Sequence, residues 1–329
     1  MGRLIGVVEI PPVRSRVASW SHSPLLSPRR LGGQTLLGWI VDRVRQTAGL
    51  DDVVVVTDGG QLEIARARVP SSVRLYDYFA PTDDSERRDD SRHAIGRDMD
   101  NRAAADSSAA DSSAADSNAA DSNAADSNAA DSNAADSGAA DSGVSDGGAG
   151  RGRNRDVDAL GRFAALASEL SASALVRVVA GHPFVDPQLI ERLVAAADRR
   201  SACDYTGFLT ATGRRSMYMR LGMVVEWVGA TALEQAARQA LDDDDRRDAT
   251  RYIHSHPDLF QLRWLPLPPP FDRRDIRLSL EQHEDWEHAQ VIFEALGAEG
   301  LSWPRIATLV GNNPTLRARM ERLNRVDRV

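Results

Sequence analysis

Blocks of apolar residues alternate along the chain with segments in which apolar positions recur every three or four residues. Short apolar blocks predict buried strands at residues 4–9, 53–58 and 73–76. Helical spacing predicts amphipathic helices in QTLLGWIVDRVRQTAG from Gln34 and DVDALGRFAALASEL from Asp156. This alternation favours an α/β fold, with a mostly parallel sheet and helices on both faces.

The stretch VRVVAGHPFVDPQLIERL, residues 176–193, combines a buried strand, a polar turn and a helix. Asp186 suits the N-cap of that helix, and Pro187 suits its first turn. His182 lies in the turn between the two elements. Because open α/β sheets place their chemistry at the carboxyl ends of strands, His182 is a candidate site residue.

The second half of the chain continues with both kinds of element. We predict strands at 203–209 and 223–228, an edge strand at 261–265, a helix from Gly229, a short helix ended by Pro257, a strand and then a helix over 275–296, and two short helices in the tail.

A five-residue unit, AADSS, AADSN or AADSG, repeats between Ala105 and Gly143. A period of five matches neither a helix face nor a strand face, and the unit holds nothing larger than Asn, so it predicts an unstructured spacer. A calcium-binding acidic repeat is the alternative, but the glycine turns and clustered ligands of such sites are missing.

The predicted organisation is a first domain segment at 1–79, a low-complexity acidic disordered insert at 80–153, a second domain segment at 154–296 and a C-terminal helical extension at 297–329.

Charge is distributed unevenly between the insert and the rest. The 329-residue chain has a formal net charge of −8, but residues 80–150 carry an excess of 11 negative charges and the rest an excess of three positive charges. A mildly basic domain suits an anionic small-molecule ligand. We expect neither nucleic acid nor a membrane as partner.

The lysine and cysteine content of the chain excludes several kinds of functional site. All 40 basic residues are arginine. The chain therefore has no lysine that could bind phosphate through its ammonium group or form a Schiff base with a substrate. The single Cys203 excludes an internal disulfide and a cysteine-rich zinc site. No apolar run reaches the roughly 18 residues of a membrane span, and no secretory signal is evident. A cytoplasmic protein is expected.

Seven motifs in order resemble the cytidylyltransferase family of the spore coat polysaccharide biosynthesis protein F type and, more distantly, the CMP-sugar synthetases. They are LGGQTLLGWIVDRV, VVVVTD, VRVVAGHPFVDPQLIERL, GMVVEWVGATALEQA, TRYIHSHPDLFQL, DIRLSLEQHEDWEHAQVIFEAL and SWPRIATLVGNNPTL with the closing Asn324. The resemblance covers nearly everything outside the insert.

This resemblance implies a nucleotide-diphospho-sugar transferase architecture, which is GT-A-like and Rossmann-like. It implies a nucleotidyltransferase of polysaccharide biosynthesis, with CTP and a sugar as substrates. A sugar oxygen attacks the α-phosphate of CTP, and pyrophosphate leaves. Enzymes of this kind use a basic loop after the first strand and a divalent ion, Mg or Mn, held by two carboxylates.

The sequence departs from the family pattern at each of these places. Arg14 and Arg16 remain in the first loop as candidate catalytic and nucleotide-binding residues, but the loop's Leu-Pro-Gly-Lys element is absent. The predicted metal ligands are His182, in the place of an aspartate, Glu281, in the place of a second aspartate, and Asp285, which is kept. Since Mg²⁺ prefers oxygen ligands, an imidazole weakens the site for that ion, whereas Mn²⁺ or Zn²⁺ tolerates it better.

Three interpretations of His182 remain open: it fills the turn of a protein that has lost catalysis, it belongs to an altered metal site, or it contacts substrate or phosphate.

Glu226, in VVEW, matches a family position near the sugar and is a candidate catalytic residue. A carboxylate among strand residues needs a partner. Arg247 and Asp248 precede Thr250 where the family has Glu-His.

Two further residues are candidates for nucleotide binding. Arg29, beside Arg30, is a candidate phosphate ligand, although paired arginines also occur on ordinary surfaces. Asp58, at the end of VVVVTD, is the other, and a turn role suits it equally.

Two hypotheses follow: a cytidylyltransferase with an eroded active site, or a non-catalytic nucleotide- or sugar-binding relative that serves as a binding or scaffold protein. The oligomeric state stays open, a homodimer included.

Overall fold

The computed structural model of the protein describes residues 2–11, 29–78, 158–198, 203–223, 225–273 and 275–326. All of them belong to one unit, which takes in residues 1–83 and 155–329. The AADSN repeat of the predicted insert lies outside the described residues, and so do Arg14 and Arg16 of the first loop.

The strands of the described residues are Arg3–Glu9 (β1), Arg30–Leu31 (β2), Gln34–Thr35 (β3), Asp52–Thr57 (β4), Arg74–Asp77 (β5), Ala172–Val179 (β6), Tyr205–Leu209 (β7), Val225–Gly229 (β8) and Leu262–Pro266 (β9). Seven of them form one sheet in the order β5-β4-β1-β6-β8-β7-β9, and β2 pairs with β3. Four of the six neighbouring pairs in the large sheet are parallel, and β8 runs antiparallel to both its neighbours. The predicted α/β fold with a mostly parallel sheet is therefore confirmed, and β9 lies at the predicted edge.

The helices are Leu36–Arg45 (α1), Leu62–Arg66 (α2), Ala159–Glu169 (α3), Pro187–Asp198 (α4), Ala230–Gln239 (α5), Asp243–Arg246 (α6), Arg251–Ser255 (α7), His283–Leu296 (α8), Trp303–Gly311 (α9) and Pro314–Val326 (α10). Side-chain caps define several of their starts. Thr35 accepts a hydrogen bond from Gly38 N at 3.3 Å to begin α1, and Asp158 accepts one from Gly161 N at 2.9 Å to begin α3. No helix of the described ranges is long and apolar enough to cross a membrane.

Successive side chains of each strand lie on opposite faces of the sheet, so the apolar core has one part on each face. In β1, Leu4 and Val8 pack with α1, whereas Ile5 and Val7 pack with α3 and α5. The charged Glu9 follows the same period of two and therefore lies on the face of Ile5 and Val7. That face carries the polar centre described below.

One predicted strand is wrong. Residues 275–280 form irregular coil, because their backbone hydrogen bonds go to two different loops instead of one neighbouring strand. Leu278 N donates to Arg220 O at 2.8 Å, and Leu280 N donates to Gly181 O at 2.9 Å. The segment thereby brings the chain before α8 against the turn after β6.

The C-terminal helices pack on the main domain. Ile306 and Val310 of α9, with Leu316 and Met320 of α10, are buried in the same apolar cluster as α1. The buried Arg43 of α1 also donates to Leu301 O at 2.7 Å. Residues 301–320 thus complete the core on the α1 face.

Candidate functional site

A buried arginine lies at the centre of the polar groups on the α3 and α5 face. Arg177 in β6 donates from Nε to Glu9 Oε2 at 2.6 Å. Its Nη1 donates to Glu226 Oε2, Asp248 Oδ1 and Thr250 Oγ1, each at 3.0 Å. Arg177 and Glu226 are directly opposed across the β6–β8 pair, so strand register alone brings them together.

Hydroxyl groups donate hydrogen bonds to the second carboxylate oxygens of Glu226 and Glu9. Tyr205 OH donates to Glu226 Oε1 at 2.5 Å, and Thr250 Oγ1 donates to the same oxygen at 3.0 Å. Tyr78 OH donates to Glu9 Oε1. A fully partnered polar network in a low-dielectric interior is rigid, since each group would be costly to leave unpaired.

Burial and the shared guanidinium move the pKa values of these groups in opposite directions. Burial raises the pKa of Glu226, and Arg177 offsets only part of that effect. Burial also acts to raise the pKa of Asp248, but the charge of Arg177 and the hydrogen bonds from Thr250 N and Arg177 together outweigh it and hold the value well below its ordinary range. Burial raises the pKa of the Tyr78 and Tyr205 hydroxyls well above 10, so both remain hydrogen-bond donors at neutral pH.

His254 borders this network from α7. Its Nδ1 lies 2.7 Å from Arg215 Nη1, and Arg215 stacks over the Trp264 ring. Burial, followed by the charge of Arg215, lowers the pKa of His254 to about 4. The imidazole is therefore neutral at physiological pH, and its Nδ1 accepts a hydrogen bond from Arg215.

A pocket of about 260 Å³ opens beside the network, at the carboxyl end of β6. Open α/β sheets bind ligands at this position. Its walls combine charged, hydroxyl and apolar side chains. They are Arg177, Val179, His182, Met217, Met219, Arg220, Glu226, Ser279 and Glu281.

Three of the residues singled out from the sequence, His182, Glu226 and Glu281, meet in this pocket. The turn after β6 presents His182, with its backbone N donating to Val179 O at 3.1 Å. The coil before α8 presents Glu281, which pairs with Arg220 and accepts a hydrogen bond from Ser279 Oγ at 3.0 Å.

Asp285, the other predicted metal ligand, has a different surrounding. Its carboxylate is buried and forms a two-point pair with Arg277, Nε to Oδ1 at 2.5 Å and Nη2 to Oδ2 at 2.9 Å. Oδ2 also accepts hydrogen bonds from the backbone N of Glu281 and Gln282. Asp285 is not among the residues that line the pocket. It instead secures the backbone that carries Glu281.

The predicted metal set of His182, Glu281 and Asp285 is therefore not assembled in this structure. Within the described ranges, no group of three or more His, Cys, Asp or Glu side chains is arranged to hold a metal ion. Of the three predicted ligands, one carboxylate is bonded to Arg277 and another to Arg220. These arginine pairs leave few free oxygen ligands for a hard divalent cation, which prefers several of them.

Two of the predicted nucleotide-binding residues, Arg29 and Asp58, are not among the residues that line the pocket. Arg29 stacks over Trp286 at 5.5 Å and approaches His283 Nδ1 at 3.3 Å, beside the start of α8. Asp58 Oδ1 accepts a hydrogen bond from Gly60 N at 2.8 Å, which is the turn role left open by the sequence. Arg14 and Arg16 lie outside the described residues.

Sequence reasoning missed Glu9, Arg177 and Tyr205. A signal was present, because Glu9 and Arg177 are charged residues in otherwise apolar strands and both need buried partners. Met217, Met219 and Arg220 were also missed. They come from the segment between β7 and β8, whose pattern gives no indication of where it folds.

Comparison with known proteins gives two curated relatives, and no family model matches the chain. The chain is 30% identical over 164 residues to the spore coat polysaccharide biosynthesis protein SpsF of Bacillus subtilis (strain 168), a match that covers 49% of this chain and 65% of SpsF. It is 27% identical over 135 residues to an uncharacterized protein of Methanocaldococcus jannaschii, which covers 41% of this chain and 52% of that protein. The matches thus span less than two thirds of either relative.

The fold is shared with a cytidylyltransferase from Leptospira borgpetersenii serovar Hardjo-bovis (strain JB197), with a TM-score of 0.60 over 96% of this chain and 97% of the other. At 13% sequence identity this likeness establishes the fold alone. The chain thus resembles SpsF in sequence over 164 residues and shares the fold of a cytidylyltransferase.

Proposed function

We propose that the pocket at the end of β6 binds CTP and a sugar and transfers the cytidylyl group to the sugar, for surface polysaccharide biosynthesis. This proposal rests on one observation: His182, Glu226 and Glu281 line the same cavity at the carboxyl edge of the sheet. Sheets of this type bind their substrates at that edge.

In the proposed reaction a sugar oxygen forms a bond to the α-phosphorus of CTP. The bond from that phosphorus to the oxygen bridging to the β-phosphorus breaks, and pyrophosphate leaves. Arg14, Arg16 and Arg29 supply guanidinium groups for the phosphates, because arginine can contact two phosphate oxygens at once. Glu226, held by Tyr205, Thr250 and Arg177, orients the sugar hydroxyl at the pocket wall.

We propose further that the site is eroded and that transfer is slow. The chain has no lysine to stabilise the leaving pyrophosphate. His182 stands where the family has an aspartate, and the carboxylates of Glu281 and Asp285 are bonded to arginines. A divalent ion is therefore held weakly, and Mn²⁺ tolerates the imidazole better than Mg²⁺ does.

A non-catalytic nucleotide- or sugar-binding role is the second candidate. The pairing of Glu281 with Arg220 and of Asp285 with Arg277 favours it, because both carboxylates already have cationic partners.

One experiment separates the two. The purified full chain is incubated with CTP, several sugars and either Mg²⁺ or Mn²⁺, and the thermal midpoint and pyrophosphate release are both measured. Stabilisation by CTP with slow, sugar-dependent pyrophosphate release supports the transferase. Stabilisation by CTP without pyrophosphate under either ion supports the binding role. No stabilisation and no pyrophosphate would contradict both.

A further inference from the structure

The chain between β7 and β8 supplies part of the pocket wall. Residues 215–220, here called the wall segment, contribute Met217, Met219 and Arg220 to the lining. At the end of this segment, Arg220 O accepts a hydrogen bond from Leu278 N at 2.8 Å. The coil before α8 therefore holds one end of the wall segment through its backbone.

The side chain of Arg215 holds the other end. Its Nη1 lies 2.7 Å from Nδ1 of the buried His254, and its guanidinium carbon lies 5.4 Å from the centre of the Trp264 ring. Because a guanidinium group only donates hydrogen bonds, His254 Nδ1 is the acceptor. Within the part of the chain that the structure describes, these two rings are the partners of the Arg215 side chain.

The same two rings also support Glu226. The centre of the Tyr205 ring lies 5.9 Å from that of His254 and 5.3 Å from that of Trp264. Tyr205 OH in turn donates to Glu226 Oε1 at 2.5 Å. His254 therefore adjoins the supports of two parts of the pocket: the wall segment and the glutamate that orients the sugar hydroxyl in the proposed reaction.

Loss of the imidazole acceptor would loosen the wall segment at its Arg215 end, because a hydrogen bond from a charged donor is roughly twice as strong as a neutral one. A sugar that binds against a loosened wall must also supply the free energy of ordering it. If about one molecule in ten holds the wall in place, the apparent dissociation constant rises about tenfold, whereas the saturated complex is unchanged. Such a change raises KM and leaves kcat as it was.

We propose that His254 is a positioning residue, which through Arg215 holds the wall segment in the place where the acceptor sugar binds. This inference rests on the proposed function, since it takes the sugar to lie beside Glu226. His254 is not among the residues that line the pocket. It therefore acts through Arg215, without contact with the substrate.

Variants of the full chain separate this role from a general loss of stability. His254→Leu removes the acceptor, whereas His254→Asn can place an amide oxygen near the position of Nδ1. Arg215→Met removes the donor from the less buried side of the pair, and it carries the test if His254→Leu does not fold. His256→Leu is the matched control, because His256 stacks on Tyr252 at 4.1 Å and does not line the pocket.

Two measurements are made on each protein at pH 7 in Mn²⁺. Pyrophosphate release gives kcat and KM, with N-acetylneuraminic acid and N-acetylglucosamine as acceptor probes and CTP in excess. Hydrogen exchange of the peptide that covers residues 214–221 reports the order of the wall segment without any turnover.

We expect His254→Leu and Arg215→Met each to raise the sugar KM about tenfold with kcat unchanged, and to speed hydrogen exchange of the wall segment. His254→Asn should recover most of both effects. The double variant of His254→Leu and Arg215→Met should be no worse than either single change, because the two residues act through one hydrogen bond. His256→Leu should behave as the unmodified chain.

The outcomes keep this inference apart from the proposed function. Faster exchange of the wall segment in His254→Leu but not in His256→Leu, in a chain that releases no pyrophosphate with any sugar offered, would support the hold of His254 on the wall and contradict the transferase. Unchanged exchange and an unchanged sugar KM in His254→Leu, with pyrophosphate release intact, would overturn the inference and leave the transferase standing. A fall in kcat at constant KM, or equal effects of His254→Leu and His256→Leu, would also overturn it.

Discussion

Replacement of Arg177 by methionine tests the buried polar centre most severely. The substitution keeps most of the side-chain volume but removes the charge shared by Glu9, Glu226 and Asp248. The side chain of Arg177 is 10% exposed, and those of Glu9 and Glu226 are 4% and 6% exposed, so water has little access to these two carboxylates, whereas Asp248 is 43% exposed. Breaking a buried ion pair from one side costs about 3–5 kcal/mol.

The expected loss depends on pH, and its sign follows from the carboxylates. In the unmodified protein the depressed pKa of Asp248 stabilises the fold above the ordinary pKa of 3.8, and this contribution is lost as the pH falls. Without the guanidinium, burial alone raises the pKa values of Glu226 and Asp248. A raised carboxyl pKa stabilises the fold at low pH and loses that effect as the pH rises, so the variant should be less impaired at pH 5 than at pH 7.

Urea denaturation of Arg177→Met and the unmodified chain, at pH 7 and pH 5, measures both effects. Arg251→Met is the control, because Arg251 is 48% exposed and pairs with Asp244 and Asp245 at the surface, where an ion pair contributes at most about 1 kcal/mol. If Arg177→Met does not fold, the added change Glu226→Gln should restore part of its stability. A loss for Arg177→Met no larger than that of the control, at both pH values, would refute the reasoning.

Three further changes have defined outcomes. Asp285→Asn should lower the free energy of unfolding by about 3–5 kcal/mol in urea denaturation, because it removes the charge of the buried carboxylate that forms the two-point pair with Arg277; a loss under 1 kcal/mol would show that the pair is dispensable. Replacing residues 82–150 by a short Gly-Ser loop should leave the thermal midpoint nearly unchanged or raise it, since closure entropy grows slowly with loop length; a failure to fold would contradict this. The double change Arg14→Ala and Arg16→Ala should abolish thermal stabilisation by CTP, and undiminished stabilisation would place the nucleotide elsewhere.

The sequence predicts most of this fold because its elements are encoded locally. The helix at 36–45 has both an apolar period and a capping Thr35, and the strand at 52–57 is a continuous buried run. The predicted strand at 275–280 fails because apolar alternation alone does not make a strand. Whether such a segment joins a sheet depends on a neighbouring strand, and here the partners are Arg220 and Gly181 in two loops.

Only those residues of the candidate pocket that lie in a family motif were singled out from the sequence. His182, Glu226 and Glu281 were found through their family positions, and the structure places all three at one pocket. The centre around Arg177 was missed because its members come from β1, β6 and the chain after α5. Their contact depends on the order of strands in the sheet, which a single sequence does not specify.

The most direct test of the proposed eroded transferase is the rate of CTP-dependent pyrophosphate release in Mg²⁺, with several sugars offered as acceptors. It compares the unmodified chain with the double variant His182→Asp and Glu281→Asp, which restores the two carboxylates of the family pattern. We expect slow release from the unmodified chain and release about tenfold faster or more from the variant, since metal sites are sensitive to ligand type and geometry. Equally rapid release from both proteins in Mg²⁺ would contradict the account and make His182 a fully functional replacement.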